Sequence, residues 1–562
     1  MAKVTGAQLF ARALRAEGID TVFTLVGDHI LPICNTAVDE GIRFVDTRHE
    51  SAAVHMADAW ARVTGGPGVG LVTGGPGHAN CIAGLSLTYL VESPVIQISG
   101  MADIRQEDMA ALQHLDQVEM ARPVTKAAWM VRDIRRIPEY VARCFKTALG
   151  ERPGPVHLSI PIELQEDSID EDEALRFAPA EYRNVGRPHG DPKLIARAVE
   201  LLAGAERPVI VVGAAARFSV EQRALEQLAE TLRVPVFTVE HARGLISDEH
   251  PLCFGYADFA LNEVSRRIGQ ADVVLLLGKK IDFRIGFGRP PAIARDTHVI
   301  QIENSEAEIG RNRGVQVGIV AHLGAAVEQL TAAAKSRQWS EKPWVDQLRA
   351  ARTDFQAKLA DLGKSADVPL HPMRVTEELR DLVSPGACLT FDGGDFVQWP
   401  RAALPARTPG RWMRLGPLGH LGAALPFGIA AKLALGDEQV ITFIGDGGVG
   451  FYFMEFDTAI RHNIPLLVIL GNDSTWGIDH GFQIAYYGRA VGTDLRPIRY
   501  DRLVQEMGGH GEYVQRAEEL RPAVERALAS GKVACVNVEV GRIRSPLADA
   551  MIARKTAAAA RK

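Results

Sequence analysis

A chain of 562 residues is too long for a single hydrophobic core and calls for about three to four domains of ordinary size. Its 63 basic and 69 acidic residues give a net charge of −6, which offers no general attraction to nucleic acid or to an anionic membrane. The N-terminus is an amphipathic helix start without an apolar signal core, and no run reaches the roughly 18 apolar residues of a spanning helix. Six cysteines (Cys34, Cys81, Cys144, Cys253, Cys388, Cys535) show neither CxxC nor ligand spacing, so buried thiols in a soluble, cytosolic protein are expected.

In chain order, residues 1–165 alternate helices with short apolar strands at Thr21–Leu25, Gly68–Thr73, Val95–Ser99 and Val156–Ile160, the pattern of a parallel, helix-covered sheet. A polar, turn-rich linker follows at about 165–193. A second α/β unit, 190–335, carries strands at Pro208–Val212, Val236–Val239, Val273–Leu277 and His298–Ile302. A charged helical connection leads to a third unit, 370–545, and a basic, Ala-rich tail, 546–562, reads as a frayed helix or disordered tail, or as a segment folded over the active site. The fold class is therefore α/β, with three doubly wound parallel-sheet domains.

Within the third unit, Val440–Ile444 and Leu466–Leu470 are continuous apolar runs, as strands buried on both faces require. Phe453, Phe456 and Ile460 recur between them at helical spacing. This strand-helix-strand unit puts Gly445-Asp446-Gly447-Gly448 and Asn472-Asp473 at the carboxyl ends of adjacent strands, where open α/β sheets bind ligands. Two carboxylates beside glycine amides and a helix N-terminus suit a hard cation and a phosphate together. The plainer alternative is that Asp446 caps a helix and Asp473 shapes a turn. In the first unit Glu50 ends RFVDTRHE and opens a small-residue helix, either as a helix-N-terminal acid or as a partly desolvated proton carrier.

GDG followed, one strand and helix later, by an Asn-Asp pair resembles the motif of thiamine diphosphate (ThDP) enzymes of the acetolactate synthase, benzaldehyde lyase and 2-hydroxyacyl-CoA lyase group. The resemblance implies Mg²⁺, or Ca²⁺, on Asp446, Asp473 and the Thr475 carbonyl, with Asp473 standing where the group usually has Asn. It implies further that the first unit binds the pyrimidine ring, the second is nucleotide-binding-like and the third binds the diphosphate. Glu50 then hydrogen-bonds the aminopyrimidine as general acid/base, and GGPGHAN places Pro76 and Asn80 near that ring. RLGPLGHLGAALPFG supplies Gly419 and the wedge residue Leu421, and DGGDFVQW supplies Gly394, Asp395 and Phe396 on the diphosphate side. Gly445, Gly447, Gly448, Trp476 and Gly477 complete the expected cofactor contacts. Phe396-Val397 replaces the His-Gln pair usual in acetolactate synthases.

On the substrate side, His29 and Gln113 resemble the pair by which benzaldehyde lyase handles the hydroxyl and carbonyl of its acyloin. Asp28 is either an acidic catalytic loop residue or a solvated turn carboxylate, and Lys126 and His480 are further candidates. The resemblance implies a ThDP- and Mg²⁺-dependent carbon-carbon lyase or carboligase that works through an acyl-anion intermediate on 2-hydroxyacyl-CoA or acyloin-type substrates. Acetolactate synthase, 2-keto acid decarboxylase and, in a different class, an inactive regulatory relative are the alternatives. A homodimer or homotetramer is expected, because the group shares each site between the first domain of one subunit and the third of another. Some members hold FAD or ADP in the central domain; this chain has no complete GxGxxG, so an empty or reused groove is the expectation there.

Overall fold

The computed structural model describes residues 3–183 and 185–559. The described residues form three six-stranded parallel sheets and one two-stranded antiparallel pair, Lys3–Thr5 with Ser168–Asp170. The first sheet comprises β1 (Thr21–Leu25), β2 (Arg43–Asp46), β3 (Gly68–Val72), β4 (Val95–Met101), β5 (Ala127–Met130) and β6 (Val156–Pro161), in the order β2-β1-β3-β4-β6-β5. The second holds β7 (Pro208–Val212), β8 (Val236–Thr238), β9 (Cys253–Tyr256), β10 (Val273–Leu277), β11 (His298–Glu303) and β12 (Val317–Val320), in the order β9-β8-β7-β10-β11-β12. The third holds β13 (Cys388–Phe391), β14 (Trp412–Arg414), β15 (Val440–Gly445), β16 (Leu467–Asn472), β17 (His510–Val514) and β18 (Ala534–Glu539), in the order β14-β13-β15-β16-β18-β17.

The central strands are the ones the sequence announces. PVIVV in β7 and VVLLL in β10 are buried throughout, so their apolar runs are explained by cover on both faces. The strands missed are mostly at or next to sheet edges and are shorter or carry polar residues, as in β5, β9, β14 and β17. Helix α1 (Glu50–Thr64) begins at Glu50, after His49, whose ring accepts from the Ser51 amide at 3.1 Å. Its buried face is mainly alanine, which permits close packing against α3 (Ala424–Leu435), reached in the chain after α2 (Pro76–Val91). Arg62 and Asp58 form a buried ion pair there, and the guanidinium lies 4.6 Å from the Phe427 ring centre.

The chain divides into two compact bodies. One comprises residues 1–186 together with 415–435 and 452–464; the other comprises 187–414, 436–451 and 465–562. Pro546–Ala559 in the basic tail is helical, and residues 560–562 lie outside the described residues. Among the described residues no helix is long and apolar enough to cross a membrane. All six cysteines are free.

Candidate active site

In the first body, the ends of β1, β2 and β3 deliver the expected side chains to one cluster. Glu50 is buried, and its Oε2 accepts a 2.9 Å hydrogen bond from Asn80 Nδ2 on α2. The Asn80 carbonyl in turn accepts from the Ser51 hydroxyl, which ties the two helix starts together. Gly77 must be glycine for space: a Cβ there would lie 2.8 Å from Thr73 Cγ2 and 3.7 Å from Glu50 Oε1. Gly75 has φ +58°, and a side chain on it would meet Gln113 Cβ at 2.6 Å, so the 113 loop lies directly on this turn.

His29 is buried, with Nδ1 3.3 Å from Thr73 Oγ1. Burial lowers its pKa, against a smaller opposing effect of Asp28, and so favours the neutral ring. Asp28 itself is exposed, as are Pro76 and Gln113. Leu421 is half-buried and Gly419, at φ +71°, is exposed on the segment after β14. Lys126 stands elsewhere: its ammonium donates to the carbonyls of Thr147, Gly150 and Arg152, closing the end of a helix.

In the second body, Gly445 at the end of β15 pairs with Gly471 on β16, which sets the turns after the two strands side by side. Asp446 opens the short helix Asp446–Val449 and is buried. Backbone amides of Gly447, Ser474 and Thr475 support its carboxylate, yet Oδ2 is buried without a hydrogen-bond partner. Burial pushes its pKa up to about 6. Asp473 is pushed up to about 8, first by burial and then by the neighbouring Asp446 charge. Its Oδ1 accepts from the Thr475 amide at 3.1 Å. Two crowded carboxylates and an orphaned buried oxygen are what a divalent cation would satisfy, so the residues fit the implied metal. No group of three or more His, Cys, Asp or Glu side chains able to hold a metal occurs among the described residues. That suits an ion completed by backbone and phosphate oxygens.

Around this turn, a Cβ on Gly477 would lie 3.2 Å from Asp473 Oδ2 and 3.3 Å from Asp395 Oδ2, so the glycine leaves room for both acids. Trp476 lies over Gly447, where a Cβ would meet its ring at 2.7 Å. Phe396 is buried against Gly471, where a Cβ would meet its ring at 2.3 Å; Val397 is also buried. Gly394, at φ +86°, has open space beside it.

Several supporting residues escaped sequence reasoning. Gln117 accepts from the Gly75 amide at 3.0 Å while donating to Gly100 O and Ser159 Oγ. Arg542 donates to the carbonyls of Asp473 and Ser474, and Ser545 holds Asp395 Oδ1 through both its amide and its hydroxyl. Only the abrupt GRIRSP break after β18 hinted that the chain returns to this turn.

Comparison with known proteins settles the family. Family models of the thiamine pyrophosphate enzymes match in order: the N-terminal TPP binding domain at residues 4–120, the central domain at 195–330 and the C-terminal TPP binding domain at 392–538. The chain belongs to the thiamine pyrophosphate enzyme family. It is 36% identical over 534 residues to the acetolactate synthase large subunit IlvG of Mycobacterium tuberculosis, covering 94% of this chain and 95% of that one. It is 31% identical over 584 residues to 2-hydroxyacyl-CoA lyase 2 of Bos taurus, covering 96% and 90%. With 2-hydroxyacyl-CoA lyase of Oryza sativa the identity is 29% over 557 residues, 95% of each. The protein is a ThDP-dependent enzyme of this acetolactate synthase-like group, and both names among its relatives are consistent with the site.

Proposed function

We propose that this ThDP enzyme is a Mg²⁺-dependent carbon-carbon lyase/carboligase acting on 2-hydroxyacyl-CoA or acyloin-type substrates in the cytoplasm. The observation that carries the reading is the joining of Glu50, Asn80, Thr73 and His29 around one glycine turn. ThDP, when bound, supplies a carbon nucleophile that adds to a carbonyl and accepts the electron pair released when the adjacent carbon-carbon bond breaks. Asn80 holds Glu50 Oε2, leaving the carboxyl group to exchange a proton with a nitrogen of the aminopyrimidine ring. His29, turned by Thr73 at Nδ1 and kept neutral by burial, offers Nε2 to the substrate hydroxyl proton. Gln113 orients the carbonyl from the loop above Gly75, and Asp28 stays at the solvated rim. Asp446, Asp473 and the Thr475 carbonyl would hold Mg²⁺ against the diphosphate, beside the Gly394–Phe396 loop and the 445–448 and 476–477 turns. Leu421 would pack against the cofactor.

The working unit in this proposal is a homodimer or homotetramer, with domains near 1–165, 190–335 and 370–545. The central domain is structural. In support, a Cβ on Gly213 after β7 would lie 2.3 Å from Gly278 O and 2.4 Å from Lys279 Cα, so this turn packs directly on the backbone after β10. Glu240 beyond β8 is paired with Arg284 at 2.7 Å and Arg414 at 2.9 Å. Acetolactate synthase is the second reading, favoured by the 36% identity to IlvG. Intact Glu50, Asp446 and Asp473 argue against an inactive relative. The test is to incubate purified protein, ThDP and Mg²⁺ separately with pyruvate, benzoin and a 2-hydroxyacyl-CoA. Cleavage of the second or third compound is expected. Acetolactate from pyruvate alone, or a flavin spectrum in the protein, overturns the lyase reading in favour of the synthase.

A further inference from the structure

We propose that Glu455 is a positioning residue for Glu50: its side chain grips the Arg48–His49 backbone and thereby sets where Glu50 stands at the head of α1. Glu455 is 1% exposed and opens helix α4 (Glu455–Arg461). Its Oε1 accepts from the Arg48 amide at 3.0 Å, and the His49 amide is directed at the same carboxyl group. Oε2 is held by the Thr458 hydroxyl at 2.7 Å, which fixes the carboxyl in this pose. Arg48 and His49 immediately precede α1, so these amides lie outside its internal hydrogen-bond ladder and need an acceptor from elsewhere.

Other links join α4 to the same turn. Arg48 pairs with Asp457 at 3.1 Å, Arg461 with Asp46 at 2.5 Å, and His462 approaches Asp46 at 2.8 Å. These pairs involve substantially exposed side chains, and such pairs contribute little. Arg461 also donates to the Asp46 carbonyl at 3.0 Å, but Glu455 differs from all of these in being buried and in accepting from the two amides that immediately precede Glu50. Displacement of residues 48–49 passes directly to Glu50, whose carboxyl group is held by the bond from Asn80. Small errors in the placement of a proton carrier carry large rate penalties.

The inference rests on the proton-carrier reading of Glu50, and the experiment separates the two. Full-length Glu455→Ala, Glu455→Gln, Thr458→Val and Glu50→Gln proteins are compared in kcat, KM, ThDP affinity and amide hydrogen exchange of the 46–50 segment without cofactor. Glu455→Ala is expected to lower kcat by roughly 10- to 100-fold, with KM and ThDP affinity within about threefold, and to speed exchange at Arg48 and His49. Glu455→Gln should restore most of both, because its amide oxygen still accepts from the backbone amides while its NH2 group donates to the Thr458 hydroxyl, reversing that bond. Thr458→Val should shift both in the same direction by less, and it decides the matter if Glu455→Ala does not fold. Unchanged exchange, unchanged kcat, or equal losses in the Ala and Gln variants overturn the positioning role. Turnover by Glu50→Gln instead overturns the role of Glu50, and the exchange data then still report whether the grip exists.

Discussion

The N-terminal and C-terminal sheets are built to one plan and put to opposite uses. With strands numbered within each sheet, both run 2-1-3-4-6-5, whereas the central sheet runs 3-2-1-4-5-6. Their loops therefore correspond. The turn after the first strand carries Asp28 and His29 in one and Asp392–Phe396 in the other. The turn after the second leads to Glu50 in one and to Gly419 and Leu421 in the other, and the turn after the third carries Gly74–Gly77 and Gly445–Gly448. The N-terminal cluster satisfies its buried acid with neutral partners, since Glu50 bonds Asn80. The C-terminal cluster crowds Asp446 and Asp473 with an oxygen left over. One topology thus supports a hydrogen-bonded acid in one sheet and a crowded carboxylate pair in the other, and the difference lies in a few residues at the strand ends.

The largest effect expected from breaking this contrast comes from Glu50→Gln, which keeps a partner for Asn80 and removes the transferable proton. Turnover should fall at least ~1,000-fold while ThDP binding, followed by tryptophan fluorescence, stays within a few-fold. In the charged half the order reverses, and binding should fail before chemistry does. Asp446→Ala is expected to weaken Mg²⁺-dependent ThDP binding at least ~100-fold in calorimetry, whereas Asp473→Asn, which keeps an oxygen, should cost under about tenfold. Comparable losses in these two variants would count against Asp446 as the principal ligand. Smaller again is Gln117→Leu, which strands the Gly75 amide without touching either acid. It should lower stability by about 1–3 kcal/mol in denaturant melts and leave Mg²⁺ affinity unchanged.

Most of the charged half was legible in the sequence, and less of the neutral half was. Asp446 and Asp473 announce themselves because each follows an apolar run, Asp446 between Gly445 and Gly447 and Asp473 two residues after Gly471, so period and turn chemistry agree. Glu50 looks by composition like any acid opening a helix, and only the family resemblance singles it out. Gln117, Glu455, Arg542 and Ser545 act through contacts distant in sequence, and no local spacing encodes those. Lys126 shows the converse error: a lysine near a candidate loop whose ammonium is used by three helix-end carbonyls. Edge strands such as β14 and β17 were missed because short, partly polar segments take their conformation from the neighbour they pair with.

The smallest effect concerns acidity within the neutral half. Glu455 is pushed up to about 7, chiefly by burial, against the lowering effect of the amides and hydroxyl that bond it. A folded-state value above the unfolded one means that the protonated carboxyl favours the fold. That contribution is fully present below about pH 4.5 and is lost as pH rises through about 7, with an upper bound of about 3 kcal/mol. Stability measured in denaturant should therefore decline between pH 5 and pH 8 by more in the wild type than in Glu455→Gln, whose side chain does not titrate. Parallel profiles would place the buried proton elsewhere.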